Sequence, residues 1–181
     1  SAADDYGVLS ITAIIRRIGI TSDESISYET PLSGVSLKRV NANSFRDLTP
    51  HPWAGLTVNL TLVAKDAAGN KGESENHSFR LPERTFTHPI AKKIVAARKT
   101  LTVNPELNRF VVADHLGRIA WKPSQYNDHK VVFMALHTAV RRLRVQSYAT
   151  ELDEVQKLLW ETAVRVEGGT VSLAERALQR A

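Results

Sequence analysis

The chain contains no cysteine, which excludes disulfide bonds, thiolate metal sites and thiol nucleophiles together. It has no apolar run approaching the roughly 18 residues that a membrane-spanning helix requires, residues 131–136 being typical of what there is. The opening Ser1-Ala2-Ala3-Asp4 carries neither an initiator Met nor the basic and apolar regions of a signal peptide, so this end reads as a cut edge of a longer protein. There is no internal repeat and no low-complexity tract.

What is present is an ordinary globular composition. With 43% hydrophobic and 24% charged residues in 181, the chain can bury a core and make one or two domains. The net charge of +5 is divided unevenly. Residues 1–83 carry 8 Lys/Arg against 10 Asp/Glu, a balance of −2, and residues 84–181 carry 16 against 9, a balance of +7. Scattered positive charge on a helical module is first of all a solvated face; an acidic partner, anionic lipid or nucleic acid are the functional readings.

The hydrophobic period changes part-way along the chain. Over residues 8–16, Leu9, Ile11, Ala13 and Ile15 alternate with Ser10, Thr12 and Arg16, the pattern of a half-buried strand. Residues 20–46 are polar and broken by Pro31 and Gly34, with short strands at 26–28 and 35–40 whose register the sequence leaves open. Residues 57–64 alternate again, with Val58, Leu60, Leu62 and Ala64 inward. The turn-rich Asp66-Ala67-Ala68-Gly69-Asn70-Lys71-Gly72 then returns the chain through residues 74–81, a hairpin.

Beyond Pro82 the period becomes helical. Thr87 reads as an N-cap with Pro89 in the first turn and Ile90, Ile94, Ala97 and Leu101 on one face. A second helix starts at Asn104-Pro105-Glu106, runs with Leu107, Phe110, Ala113 and Leu116 toward Trp121 and ends before Pro123; a third begins near Asn127 or Asp128 and buries Val132, Phe133, Leu136, Val140 and Leu143. Thr150-Glu151-Leu152-Asp153 reads as a capping box opening a fourth helix that stops at Gly168-Gly169, and Ser172-Leu173-Ala174-Glu175 opens a fifth that continues past the end. The expected fold is α+β: an N-terminal immunoglobulin-like antiparallel β-sandwich over 1–83, then a bundle of four to five helices over 84–181. The joint, residues 81–86, has no Gly/Ser spacer, so the halves are expected to pack together with Phe86 buried at the seam.

No group of residues reaches the specificity of a catalytic or metal motif. Of the six histidines, only His129 and His137 sit in related positions, eight apart, which is no ligand step. His137 reads as a packed side chain, since no carboxylate stands near it in sequence to orient it. Asp4-Asp5, and the loop of residues 66–72, lack the remaining oxygen ligands of a calcium site. Asn59-Leu60-Thr61 and Asn76-His77-Ser78 match the glycosylation pattern, a frequent accident. Arg141-Arg142-Leu143-Arg144 is the one concentrated basic patch, without the aromatics that stack on single strands, so nucleic acid is a minor reading. Trp53, in His51-Pro52-Trp53-Ala54-Gly55, is either a plug at the end of the β core, the favoured reading, or an exposed anchor for a partner.

Several strings together resemble a known family: residues 3–8 (Ala-Asp-Asp-Tyr-Gly-Val), 45–56 (Phe-Arg-Asp-Leu-Thr-Pro-His-Pro-Trp-Ala-Gly-Leu), 81–89 (Leu-Pro-Glu-Arg-Thr-Phe-Thr-His-Pro), and Leu158-Leu159-Trp160 with Ser172 to Leu178. They are similar to alphaproteobacterial inner-membrane proteins known as domain of unknown function four-one-seven-five. That resemblance touches both halves. It implies a parent with transmembrane helices ahead of this segment, a large periplasmic part and a low-complexity region beyond, and it brings no established activity and no catalytic residue. The 66–70 turn separately resembles the last hairpin of bacterial immunoglobulin-like modules.

The expected function is a non-enzymatic interaction or scaffold segment on the periplasmic side of the bacterial inner membrane. Its partner would be a cell-envelope protein, reached through Trp53 or Arg141, Arg142 and Arg144, with the membrane met through other parts of the parent. No cofactor, metal or small-molecule substrate is called for. The alternatives are an enzyme whose site is completed by other regions of the parent, and a module binding anionic lipid or nucleic acid through the basic half.

Overall fold

A computed structural model describes residues 2–19, 24–30, 32, 37–40 and 43–178, giving the backbone path alone for 2–6, 37–40 and 170–178. It divides into two compact units, Ser1–Glu83 and Arg84–Ala181.

The first unit is an antiparallel sheet built on two long strands, β1 (Ala2–Arg17) and β4 (Thr57–Asp66). One edge of β1 is covered by β2 (Ser25–Thr30) and then β3 (Leu37–Val40). The far edge of β4 is covered by β5 (Lys71–Glu73) and then β6 (His77–Arg80). All six strands join one sheet, so the expected sandwich of two sheets is not found among the described residues. The apolar face is covered instead by the irregular segment before β4: Trp53, Leu48 and Leu56 pack with Ile15, Val58 and Leu81. A single sheet suffices here because long strands and a folded-over loop enclose a small core that a second sheet would otherwise close.

Parity along β1 and β4 departs from simple alternation. The β1–β4 register shifts between Val8 and Ser10, beside Gly7 at φ 85°, and such a bulge moves the side chains beyond it to the other face. Val8 is therefore buried and Leu9 exposed, while Ile11, Ala13 and Ile15 point inward as expected. Of the expected inward residues of β4, Val58 is buried but Leu62 is 36% exposed, and Thr61 is buried on the opposite parity. On that opposite side Thr61 Oγ1 donates to Asn76 Oδ1 at 2.6 Å, and Ser78 Oγ donates to Asn59 Oδ1 at 2.5 Å. The two glycosylation-like triplets are thus rungs of one polar cross-strand ladder.

The second unit has four helices: α1 (Pro89–Val103), α2 (Pro105–Ala120), α3 (Lys130–Arg144) and α4 (Tyr148–Leu178). A 3₁₀ turn at Pro123–Tyr126 lies between α2 and α3. Ile94, Leu101, Val112, Leu116, Val132, Leu136, Leu143, Val155 and Leu159 form one continuous core. Asn104 caps α2 as expected, its side chain accepting from Leu107 N–H, with Pro105 at the first helical position. The cap of α1 is His88 rather than Thr87, Nδ1 accepting from Ile90 N–H. Asn127 and Asp128 do not open α3; both adopt left-handed φ in the preceding turn, and α3 starts after His129. Thr150 lies inside α4 rather than capping it, its hydroxyl bonded back to the carbonyl of Ser147.

The largest difference is at Gly168-Gly169. The helix does not stop there and no fifth helix begins; α4 runs unbroken to Leu178. Each glycine costs about 1 kcal/mol relative to alanine inside a helix, a cost that tertiary contacts on the preceding turn override: Val166 and Glu167 are both buried. The continuation expected past the end of the chain lies outside the described residues.

Candidate functional site

Trp53 is 6% exposed, the plug. Its backbone N–H donates to His51 Nδ1 at 3.1 Å, the two rings meet edge to face at 5.1 Å, and the Arg17 guanidinium lies 5.9 Å from the indole centroid. Gly55, at φ 76°, donates its N–H to Leu81 O while Leu81 N–H donates to Leu56 O, so the loop is clamped to the end of the sheet unit. A partner could engage Trp53 only by displacing it from this core.

The basic patch is spent largely on ion pairs. Arg142 bonds Glu154 at 2.6 Å and Glu151 at 3.1 Å, and Arg144 bonds Asp114 at 2.6 Å. These ties link α3 to α4 and to α2 and reduce the positive field that the sequence offers to phosphates. Arg141 is exposed. Arg109 also serves the fold: it lies between the rings of Phe110 and Tyr148, and its Nη1 donates to the carbonyls of Leu143 and Val145 at the C-terminal end of α3.

His137, Asp66 and Arg98 are each engaged by residues of their own unit. His137 is packed between Trp121 and Phe133, with centroids 6.1 and 4.3 Å away. Among the described residues no three His, Asp or Glu side chains gather to hold a metal ion. Asp66 Oδ1 accepts from Asn70 N–H and Oδ2 from Asn70 Nδ2, both at 2.7 Å; the Asn70 side chain first, then the loop N–H groups, hold this carboxyl below its ordinary value. That makes residues 66–70 a self-contained turn. Arg98 is 4% exposed, its Nε donating to Gln156 O, its guanidinium 5.3 Å from the Trp160 ring centroid. Burial lowers its pKa to about 10. Gln156 Nε2 donates to Thr102 Oγ1, whose hydroxyl donates to Arg98 O. This buried polar knot joins α1 to α4.

The outer face of α2 is what sequence reading missed. While Val112, Ala113, Leu116, Ile119 and Ala120 are buried, the solvent side carries Leu107, Phe110, Val111 and Trp121 at 76, 51, 66 and 78% exposure. A helix that is apolar on both sides is normally covered on both. The signal was available: Leu107, Val111 and Trp121 do not fit the inward stripe of Val112, Leu116 and Ile119. Reading Leu107 and Phe110 together with Ala113 and Leu116 concealed it.

The model of one family matches the whole of residues 1–181. The chain belongs to the family described as Domain of unknown function (DUF4175). No curated protein and no solved structure gives a significant match. No helix among the described residues of this DUF4175 chain is long and apolar enough to cross a membrane.

Proposed function

We propose that this DUF4175 chain is a non-enzymatic interaction or scaffold segment, on the periplasmic side of the bacterial inner membrane, of a larger membrane protein. The observation that supports it is the uncovered apolar face of α2, with Leu107, Phe110, Val111 and Trp121 exposed on a helix whose other side is already in the core. Exposed apolar surface of this kind marks contact sites, and aromatic residues dominate their energetics. The partner proposed is a protein of the cell envelope. Arg141 and its neighbours become a rim to such a contact rather than its centre, because Arg142 and Arg144 are held in ion pairs.

Photo-crosslinking residues placed at Leu107 and Trp121 of the full-length parent, in living cells, test the surface against a control at Lys93 on the exposed side of α1. Adducts from both α2 positions and none from Lys93 are expected; adducts from Lys93 alone would overturn the reading. Location is tested separately. This chain has no cysteine, so Lys93→Cys supplies a new thiol, and a membrane-impermeant maleimide should label the variant above the level of the unsubstituted parent in cells with an intact inner membrane. Protection of that thiol until the inner membrane is broken would remove the periplasmic assignment.

A further inference from the structure

We infer that α2 binds α2 of a second copy of this chain, the two helices lying antiparallel about a two-fold axis. The inference rests on the interaction reading above and names its partner. On α2 and at its C-cap, Leu107, Phe110, Val111, Asp114, Arg118 and Trp121 are all exposed. Their three- and four-residue steps place them on a single stripe, roughly 21 Å long at 1.5 Å per residue.

The occupant follows from the charges on that stripe. Asp114 and Arg118 stand one turn apart in the middle of it, with apolar residues toward either end. A two-fold axis crossing the stripe midway between them sets each Asp114 against Arg118 of the second copy. The same axis sets each Val111 against Trp121 of the second copy. Both contacts occur twice, because an isologous interface repeats every pairing. Opposite charges meet, and Val111 and Trp121 on either side of them are covered by the same operation, while Leu107 and Phe110 face positions 125 and 122 at the rim of the contact. Asp114 keeps its bond to Arg144, since a carboxylate has about four acceptor sites for two partners. One helical stripe lies at the small end of interface sizes, so the dimer is weak and reversible.

Sedimentation equilibrium of the purified 181-residue chain over a wide concentration range, at low salt, reads the association. Doubling of the mass with rising concentration is expected. Asp114→Arg and Arg118→Asp should each weaken it at least about tenfold, because like charges then meet twice. The double variant Asp114→Arg with Arg118→Asp should restore it, which only an antiparallel pairing centred between the two residues does. Far-UV circular dichroism of every variant should match the wild type, as both side chains are exposed. A monomer at all concentrations overturns the inference, as does a dimer indifferent to either reversal, or a double variant that fails to recover. A chain that is monomeric while Leu107 and Trp121 still crosslink to another envelope protein refutes self-pairing alone, and loss of both removes the interaction reading as well.

Discussion

The Glu167 carboxylate on α4 accepts the backbone N–H of Thr87 at 2.8 Å, and also the Thr87 hydroxyl; its other oxygen accepts the N–H of His88 at 2.9 Å. A residue near the end of the helical unit thereby closes its beginning. Free N–H groups at a helix start need acceptors, and a negative charge there also meets the positive end of the helix dipole. Burial raises the Glu167 pKa, but the Thr87 and His88 hydrogen bonds outweigh it and hold the group below its ordinary value of 4.5. A depressed carboxylate contributes stability that is full above the unfolded-state pKa and is lost as pH falls through the folded value. Glu167→Gln should therefore cost about 1–2 kcal/mol at neutral pH. It should also flatten the acid limb of the stability curve, measured by urea unfolding from neutral pH to pH 3. An unchanged acid limb would show that the contact does not persist in solution.

Phe86 is buried, as expected. It meets Trp160 of α4 edge to face at 5.6 Å, within the core of the helical unit, and the Arg84 guanidinium lies 5.3 Å from its ring centroid. Phe86→Ala should destabilise that unit by about 3–5 kcal/mol, the range for removing a core aromatic. Hydrogen exchange at the amides of α1 and α4 reads the loss, and protection equal to the wild type would contradict it.

The turn of residues 66–70 is predicted to depend on Asn70. In Asn70→Ala, Asp66 loses the side-chain donor that contributes most to its lowered pKa, so its titration midpoint, followed by NMR at the carboxyl carbon, should rise toward the ordinary aspartate value. An unmoved midpoint would show that the backbone donors alone set it.

Gly168 and Gly169 are expected to be replaceable. A methyl group at either position meets nothing within 4 Å, and each lies inside α4. Gly168→Ala and Gly169→Ala should each stabilise the helical unit by up to about 1 kcal/mol, visible as a rise of a few degrees in Tm. Destabilisation by either would mean that the helix does break there.

Much of this architecture can be read from the chain. The two periods place β1, β4 and the later hairpin, and four helices, close to where they lie, because alternation at two and at 3.6 residues follows from backbone geometry. Asn104-Pro105 marks the start of α2 because a side-chain acceptor followed by a fixed φ acts within four residues. Other local signals misled. Gly168-Gly169 reads as a stop and Thr150 as a cap, yet in both places packing of the neighbouring turns outweighs a local preference of about 1 kcal/mol.

The candidate site was less legible still. Arg141, Arg142 and Arg144 form a basic cluster in sequence, but Glu151, Glu154 and Asp114, which engage two of the three, come from other helices. The exposed stripe of α2 looks like core by composition alone, since exposure belongs to the packing and not to the residue type.

The sequence by itself determined the change of period near Pro82, the apolar faces that each element must bury, and the absence of thiol chemistry. Tertiary structure alone decided that the strands form one sheet, that Phe86 belongs with Trp160, that Glu167 closes α1, and which side of α2 is left uncovered. The physical reason is range. Propensities, caps and periodicity act over a few residues and are written locally, whereas Thr87 and Glu167 meet only after α1 and α4 have packed side by side.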